Sequence, residues 1–285
     1  MAKGNLLLGT AKNSVGDVVM YRREGAQISR VRVRNVKNPK TDAQSFQRAI
    51  MAPIAKFYSP LSVVLERSFE GLSKAKSHNK FNQVNANLAR KNKWALPKGT
   101  GFFPLPYQLS QGTVQAISLT YNAVDFAFNT GIEHAGDEPA TVGQISADFI
   151  AAGFKEGDVV TIIGVKTFPI NGGYFPLSFQ FELNSSSTED LSSLRSNGVY
   201  ITAEKSAPIQ INDDSDALVA CAVIVSRFDG NMWRRSTQSL LVIPTVLTPV
   251  TADAAVAAAI ASYGQTAGDG NPLVYLDGDE LTDGE

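Results

Sequence analysis

The sequence has a single cysteine, Cys221, and two histidines, His78 and His134, in 285 residues. One cysteine excludes an intramolecular disulfide and any cysteine-based zinc cluster. Neither histidine has a second histidine or a cysteine at ligand spacing, so we expect no histidine-based metal site. Cys221 lies within the apolar run ALVACAVIVSRF, which favours a small buried hydrophobic side chain over a nucleophile.

Long apolar runs are also missing. No stretch approaches the ~20 apolar residues that a membrane helix requires. The N-terminal run of three leucines is too short for the core of a signal peptide. The composition, with 44% hydrophobic and 19% charged residues, is typical of a folded chain. We therefore expect a protein that is made in the cytoplasm and has no membrane partner.

Motifs for catalysis and cofactor binding are absent from the sequence. It has no Gly-x-Ser-x-Gly, no phosphate-binding Gly-Lys-Ser/Thr loop and no dinucleotide fingerprint. The segment GIEHAGDE brings Glu133, His134 and Asp137 close together in sequence, but a solvated loop is the preferred interpretation. INDDSDAL, at residues 211–218, lacks the spacing of an EF-hand and favours a polar turn. We expect no enzyme, no catalytic residues, no cofactor and no metal.

Charge is divided unequally along the chain, although the formal net charge is only −1. Residues 1–98 carry 19 Lys and Arg against 5 Asp and Glu, which is a net charge of +14. Residues 99–285 carry 7 against 22, which is a net charge of −15. This asymmetry suggests either an anionic partner for the basic end or mutual neutralisation of the two halves, within a chain or between subunits.

The basic end includes the alternating stretch SRVRVR. The alternation and a Glu-Gly turn predict two strands, at about 17–22 and 27–34. In such a ribbon Arg30, Arg32 and Arg34 project from one face at intervals of about 7 Å, given the rise of a strand. That spacing is comparable to the phosphate repeat of a nucleic-acid strand, and guanidinium groups suit phosphate geometry. Further basic residues are candidates to extend the surface: Arg22, Arg23, Lys37, Lys40 and Arg48.

Three interpretations of this basic surface are compatible with the sequence. The arginines contact nucleic-acid phosphates, or they contact an acidic face of another subunit, or they form the solvated face of a ribbon. Nothing in the sequence resembles a recognition helix that presents base-reading side chains. Nucleic-acid contact would therefore have little sequence preference.

Helical and strand patterns follow the basic stretch. Thr41 is a good N-cap and Gln44 completes a capping-box pattern, so a helix is predicted to begin near residue 42. Two further helices are predicted, at about 59–71 and from about residue 79. After residue 113 the pattern changes to short strands with turn signals, including a hairpin at Asp229-Gly230-Asn231. The strand before that turn has apolar residues at both its odd-numbered and its even-numbered positions. This pattern predicts that both faces of the strand are covered.

These elements predict an α+β protein with an N-terminal basic β-ribbon plus helices, followed by an antiparallel β-sandwich. The sandwich is expected to be immunoglobulin-like in general shape. The Pro- and Gly-rich segment LPKGTGFFPLPYQLSQGT marks a boundary. The predicted parts are a basic ribbon-and-helix domain at 1–96, a linker at 97–112, an acidic β-sandwich domain at 113–276 and an acidic tail at 277–285.

Part of the basic end resembles a known family. VGDVVMYRREG followed by RVRNVKNPKTDAQSFQR is similar to a domain-of-unknown-function family from Bacteroidota and their phages and prophages. The resemblance is specific over residues 4–50 and implies no activity and no catalytic residues. It favours a phage-encoded or prophage-encoded structural protein. The family pattern Asn-Pro-x-Thr-x-x-Gln-x-x-x-Arg corresponds here to Asn38, Pro39, Thr41, Gln44 and Arg48.

Three functions are therefore considered. The first is a virion structural or accessory protein, present in the host cytoplasm before assembly, whose basic end contacts nucleic acid or a neighbouring acidic subunit. Its partners would be other virion subunits or further copies of itself, and DNA or RNA. The second is a non-enzymatic nucleic-acid-binding protein of the host. The third is a β-sandwich module that binds glycans or a cell surface through Trp233 or exposed tyrosines.

Overall fold

A computed structural model describes residues 2–3, 13–15, 17–23, 26–32, 41–92, 101–137, 139–168, 173–246, 275–276 and 280–281. These residues form three helices and mostly antiparallel sheets, so the α+β class is confirmed. The chain divides into two compact units, residues 1–40 and residues 41–285.

The first unit is a four-stranded antiparallel sheet. Its strands are β1 Ala2–Lys3, β2 Asn13–Val15, β3 Val18–Arg23 and β4 Ala26–Val31. Their spatial order is β1-β4-β3-β2. Strands β3 and β4 pair from Val18 opposite Val31 to Arg23 opposite Ala26. These two strands match the two that the alternating stretch predicts, except that β4 ends at Val31 rather than at residue 34.

Helix α1, Asp42–Tyr58, begins where the N-cap prediction places it. Thr41 Oγ1 accepts a hydrogen bond from the backbone N–H of Gln44 at 3.4 Å. Within the described part of the chain, however, Gln44 Oε1 is buried without a hydrogen-bond partner. The predicted capping box is therefore only half formed.

The helix predicted at 59–71 is a series of turns instead. Arg67, inside the predicted helix, has a positive φ of 53°, which an α-helix does not permit. Helix α2, Lys74–Lys91, begins five residues earlier than the predicted start at residue 79. No helix within the described ranges is both long and apolar enough to cross a membrane.

The rest of the second unit is rich in strands. In chain order the elements are β5 Gln108–Ser110, β6 Thr120–Asn122, β7 Ala127–Glu133, α3 Val142–Ala151, β8 Val159–Thr167, β9 Tyr174–Glu182, β10 Arg195–Ser196, β11 Val199–Thr202, β12 Pro208–Asp213, β13 Leu218–Phe228, β14 Trp233–Arg235, β15 Gln238–Ser239, β16 Leu241–Val242, β17 Tyr275–Leu276 and β18 Glu280–Leu281. One sheet has the order β10-β11-β12-β7-β6, and the other has the order β14-β13-β8-β9 with β16 also paired to β13. Strand β5 pairs with β15, and β17 pairs with β18. Strand β18 is the described part of the acidic tail predicted at 277–285.

Strand β13 separates two hydrophobic cores. Residues 221, 223 and 225 face a core between the two sheets that also contains side chains of α3. Residues 220, 222 and 224 face a second core, which contains side chains of α1 and α2. Every residue from 218 to 226 is buried. The prediction that both faces of this strand are covered is therefore confirmed.

The predicted linker at 97–112 contributes to the core that contains the helices. Phe102 and Tyr107 are buried, and their rings lie 5.3 Å and 4.9 Å from the ring of Phe57 in α1. The same core includes residues of β8 and β13. The boundary between compact units thus lies at residues 40–41 rather than at 97–112. Residues 101–107 form neither helix nor strand and lead into β5, but Phe102 and Tyr107 are buried between helices and sheet.

Helix α3 is an element that the sequence prediction missed. Thr141 and Gln144 form a complete capping box, with the Gln144 N–H to Thr141 Oγ1 distance at 3.3 Å and the Thr141 N–H to Gln144 Oε1 distance at 3.0 Å. Val142, Ile145 and Phe149 are buried at helical spacing. The signal for the helix was present in the sequence, but the segment is short and lies among strand patterns.

The side chain of Asn85 joins α2 to β5. Its Nδ2 donates a hydrogen bond to the Gln108 carbonyl at 3.1 Å, and its Oδ1 accepts one from the Gln108 N–H at 2.9 Å. Asn85 is buried, so it satisfies two backbone groups that would otherwise lack a partner close to the core.

We predict that Asn85→Ala lowers the free energy of unfolding by about 1–3 kcal/mol, because partly buried backbone groups of Gln108 lose their partner. Urea denaturation followed by circular dichroism measures the change. Asn87→Ala, on the exposed side of the same helix, is the matched control and should change the free energy by less than about 0.5 kcal/mol. Equal effects of the two substitutions would contradict this role of Asn85.

Candidate nucleic-acid interface

Four of the predicted basic residues lie in described strands or beside them in the first unit. Arg22 and Arg23 are the last two residues of β3. Their backbone is described, but their side chains are not. Arg30 is exposed, and its guanidinium carbon lies 5.7 Å from the centre of the Tyr21 ring, which is a cation–π distance. Arg32 is also exposed, and its backbone N–H donates to the carbonyl of Asp17 at 2.6 Å. The side chains of Arg30 and Arg32 are therefore accessible to an anionic partner.

The other predicted basic residues are distributed differently. Arg34, Lys37 and Lys40 lie outside the described residues. Arg48 is exposed on α1 and belongs to the second unit. The predicted set is thus divided between the two units of the chain.

Helices α1 and α2 lie side by side and run in opposite directions. Near the start of α1, Gln47 Oε1 accepts a hydrogen bond from Nη2 of Arg90, near the end of α2, at 2.9 Å. At the opposite end of the pair, the rings of Tyr58 and His78 lie 4.5 Å apart. Helix α2 contains no acidic residue, and α1 contains only Asp42. The pair therefore forms a surface with a large excess of positive charge.

Several cations on this surface form no ion pair with a carboxylate of the described residues. The amide side chains of Gln83 and Asn87 are exposed on the same helix pair. Lysine, arginine and amide side chains are those that contact phosphates and sugars in nucleic-acid complexes. We name the following exposed residues the helix-pair cations: Arg48, Lys56, Arg90 and Lys91.

The cations of the strand-rich part are mostly paired with acids. The buried Lys166 contacts Asp213, and Arg227 donates two hydrogen bonds to Asp158 at 2.8 Å and 2.6 Å. Lys155 and Arg235 are the exceptions in this part of the chain. Among the described residues, cations without a carboxylate partner are therefore more frequent on the helix pair, although Lys74 of α2 pairs with Glu66 at 3.1 Å. The remaining ion pairs are Arg195–Asp214, Lys205–Asp137, Arg234–Glu70 and Arg234–Asp229.

An open cleft of about 540 Å³ lies between the end of α1 and the start of α2. Burial, with a smaller contribution from the charge of Glu66, raises the pKa of Tyr58 in its wall, so this hydroxyl stays protonated at neutral pH. His78 Nε2 lies 3.3 Å from Asn82 Nδ2. The cleft offers hydroxyl groups, the imidazole ring of His78 and the ammonium of Lys56. Its lining consists of Ala52, Ala55, Lys56, Tyr58, Ser59, Ser62 and His78.

His134 does not lie in a solvated loop as predicted. Its side chain is fully buried, and Nδ1 lies 2.6 Å from Asp148 Oδ2 on α3. Its Nε2 has no hydrogen-bond partner among the described residues. Asp137 instead pairs with Lys205. No sequence pattern indicates the contact with Asp148, because that contact depends on the unpredicted helix α3.

The carboxylates of residues 211–218 serve structural contacts, in agreement with the predicted polar turn. Asp213 Oδ2 accepts hydrogen bonds from the Ala217 N–H at 2.8 Å and from the Ser215 hydroxyl at 3.0 Å. Asp214 pairs with Arg195. Throughout the described ranges, no group of three or more His, Cys, Asp or Glu side chains is placed to hold a metal ion.

The β13–β14 hairpin ends in an exposed apolar tip. The rings of Phe228 and Trp233 lie 5.4 Å apart, and these side chains are 54% and 43% exposed. Asp229 accepts hydrogen bonds from the backbone of Met232, from Arg234 and from the backbone of Asn231, and these bonds lower the pKa of Asp229 to about 2. The turn predicted at residues 229–231 is confirmed, and the ionised Asp229 stabilises it.

Cys221 is fully buried, and burial raises the pKa of its thiol well above the usual value. We predict that at about pH 8 the native protein does not react with an aromatic disulfide reagent, because the thiolate is the reactive form. Labelling should become immediate in concentrated urea and should otherwise follow the rate of unfolding. Rapid labelling of the native protein would contradict a purely structural role.

Comparisons with known proteins identify one similar family. A family model described as a family of unknown function (DUF6266) matches residues 9–135, which is less than half of the chain. No curated protein and no solved structure gives a significant match. The matched segment extends through α1, α2 and the predicted linker to the end of β7. Over this segment the chain is similar to an uncharacterised domain family, as the resemblance of its basic end implied.

Proposed function

We propose that this protein is a non-enzymatic structural or accessory component of a phage or prophage virion. In this proposal its basic N-terminal strands and its helix pair contact nucleic-acid phosphates. The virion setting rests on the resemblance of the segment around Pro39 and Arg48 to phage and prophage proteins. The type of contact rests on the distribution of charge in the second unit.

The observation that carries the proposal is the difference in pairing between helices and strands. In the strand-rich part, Lys166, Arg195, Lys205, Arg227 and Arg234 are held by carboxylates. The helix-pair cations are exposed and form no such pair with a described residue. A polyanion that binds exposed cations releases condensed counterions without first breaking internal ion pairs. The helix pair is therefore the favourable surface for a nucleic-acid backbone.

We also infer that β6–β14 form a sandwich that is immunoglobulin-like in general shape, which would provide bulk and surface in a particle. The strand orders support this inference. The strands can be given the letters used for immunoglobulin domains: β6, β7, β8 and β9 become A, B, C and C′, and β11, β12, β13 and β14 become D, E, F and G. In these letters the strand order of one sheet is D-E-B-A, and that of the other sheet is G-F-C-C′. These are the orders of immunoglobulin sheets.

We predict that binding to duplex DNA weakens with salt, with a log–log slope of about −0.9 for each phosphate contact. The double variant Arg48→Gln, Lys91→Gln should reduce the magnitude of that slope by about 1.8. The variant Arg195→Gln, Lys205→Gln removes the same formal charge from paired cations, so its slope should equal that of the wild type. Fluorescence anisotropy at several salt concentrations measures the slopes.

The first unit is tested separately by Arg30→Gln combined with Arg32→Gln, which should reduce the slope by a similar amount. If the wild-type protein shows no salt-dependent retention on DNA or RNA at low ionic strength, the nucleic-acid contact is wrong. Equal slopes for the helix-pair variant and its control would contradict the role of the helix pair. The first result would leave an acidic face of a neighbouring subunit, or solvent, around the exposed cations. The second would limit the nucleic-acid contact to the first unit.

A further inference from the structure

Strand β9, Tyr174–Glu182, is the end strand of its sheet. It pairs with β8 over its entire length, from Thr167 opposite Tyr174 to Val159 opposite Glu182, without a bulge. Strand β10 passes beside β9 without hydrogen bonding to it. Nine residues at about 3.3 Å each give a straight edge of roughly 30 Å.

The hydrogen-bond pattern identifies which backbone groups point away from β8. The Phe168 N–H donates to Gly173 O at 2.7 Å, and the Leu183 N–H donates to Asp158 O at 2.8 Å. In an antiparallel pair the N–H and C=O of one residue point to the same side, and successive residues alternate. Odd-numbered residues of β9 therefore bond to β8, and even-numbered residues point outward.

The outward backbone groups have no hydrogen-bond partner among the described residues. Pro176 is one of the outward residues, which agrees with the rule that an edge proline turns its nitrogen away from the sheet. The remaining outward N–H groups are available as donors. The outward residues are Tyr174, Pro176, Ser178, Gln180 and Glu182.

The edge is held rigidly by its odd-numbered side chains. Leu177 and Phe181 are buried in the core between the two sheets, and Phe175 and Phe179 pack against that core. Gln180 Nε2 donates to Thr161 Oγ1 on β8 at 2.9 Å. A strand fixed in this way loses little conformational entropy when it pairs with another strand.

The edge also has few of the features that prevent strand pairing. Natural edges are protected by short length, charged side chains, proline or bulges. The other sheet ends with β6, of three residues, and β10, of two residues. Strand β9 has nine residues, and its protection is limited to Pro176 and to its one charged residue, Glu182.

We propose that β9 pairs with β9 of a second copy of this chain, antiparallel, about a two-fold axis at Ser178. Independently of the proposed nucleic-acid contact, this pairing would join the two copies into one continuous sheet. Ser178 would lie opposite its own copy, Gln180 opposite Pro176, and Glu182 opposite Tyr174.

A second copy is the favoured occupant for two reasons. In the two-fold arrangement Glu182 faces the Tyr174 side chain rather than another carboxylate, so no like charges lie directly opposite each other. The net charge of the chain is −1, so two copies repel each other little at long range. The outward donors and acceptors of one strand meet their counterparts on an antiparallel copy except where Gln180 faces Pro176. There the Gln180 N–H can donate to the Pro176 carbonyl, but Pro176 has no N–H to return a hydrogen bond.

The experiment is sedimentation velocity on the full chain over a range of concentrations. We expect the wild type to form a dimer, and Ser178→Asp and Ser178→Lys each to remain monomeric because like charges meet at the two-fold axis. Mixing the two variants should restore a dimer that contains one chain of each. Thr120→Asp and Thr120→Lys, at the exposed edge strand β6, form the matched control set and should dimerise as the wild type does.

A measurement on the unmodified chain tests the same contact. The peptide that contains residues 174–182 should exchange its amide hydrogens more slowly as protein concentration rises, because the outward N–H groups become bonded. A wild type that is monomeric at every concentration would overturn the proposal. A dimer that persists in both Ser178 variants would place the interface elsewhere, and a mixture that stays monomeric would exclude the two-fold axis at Ser178.

Discussion

Burial of strand β13 on both faces is the constraint on which the rest of the second unit depends. Because side chains alternate along a strand, one sequence of apolar residues has to fit two different neighbours. On the side of the helices the small side chains of Ala220 and Ala222 face a core that contains the rings of Phe57, Phe102 and Tyr107. On the other side, Cys221, Val223 and Val225 face the second sheet. The unit is therefore layered, with helices, a sheet, and a second sheet.

This layering also determines which polar groups remain available. Acids and bases of the strand-rich part meet where strands end and turns cross, as Lys166 meets Asp213 and Arg227 meets Asp158. The helices carry almost no acids, so their cations find few partners on their own surface. The opposite net charges of the two ends of the sequence are thus not cancelled by pairing within the described residues. With β8 and β13 central in their sheet, β9 is left at the edge, and its outward backbone groups have no hydrogen-bond partner among the described residues.

The two proposed surfaces depend on different chemistry. The helix pair presents flexible charged side chains, whose interaction with a polyanion is long-ranged and sensitive to salt. The β9 edge presents fixed backbone donors and acceptors, whose pairing is short-ranged and directional. A dimer joined at β9 would carry two helix-pair surfaces. Binding of both surfaces to one polymer would then be strengthened by the effective concentration of the second site.

Local patterns predicted several elements correctly because the responsible forces act over a few residues. The two N-terminal strands, the start of α1 at Thr41 and the hairpin at Asp229 are of this kind. The burial of both faces of β13 was also predictable. Apolar residues occupy both its odd-numbered and its even-numbered positions, so neither face is suited to contact with water. The sequence likewise predicted the polar turn at residues 211–218.

Other features depend on contacts between residues that are distant in the sequence. The Pro- and Gly-rich segment at 97–112 looked like a linker, but the aromatic rings on its residues pack against α1. His134 looked solvated, but Asp148 on α3 binds it in a buried position. The sequence by itself determined where the charges and the apolar runs lie. Only the tertiary structure decided which charges are paired and which strand forms the edge, because pairing and edge position depend on chain topology.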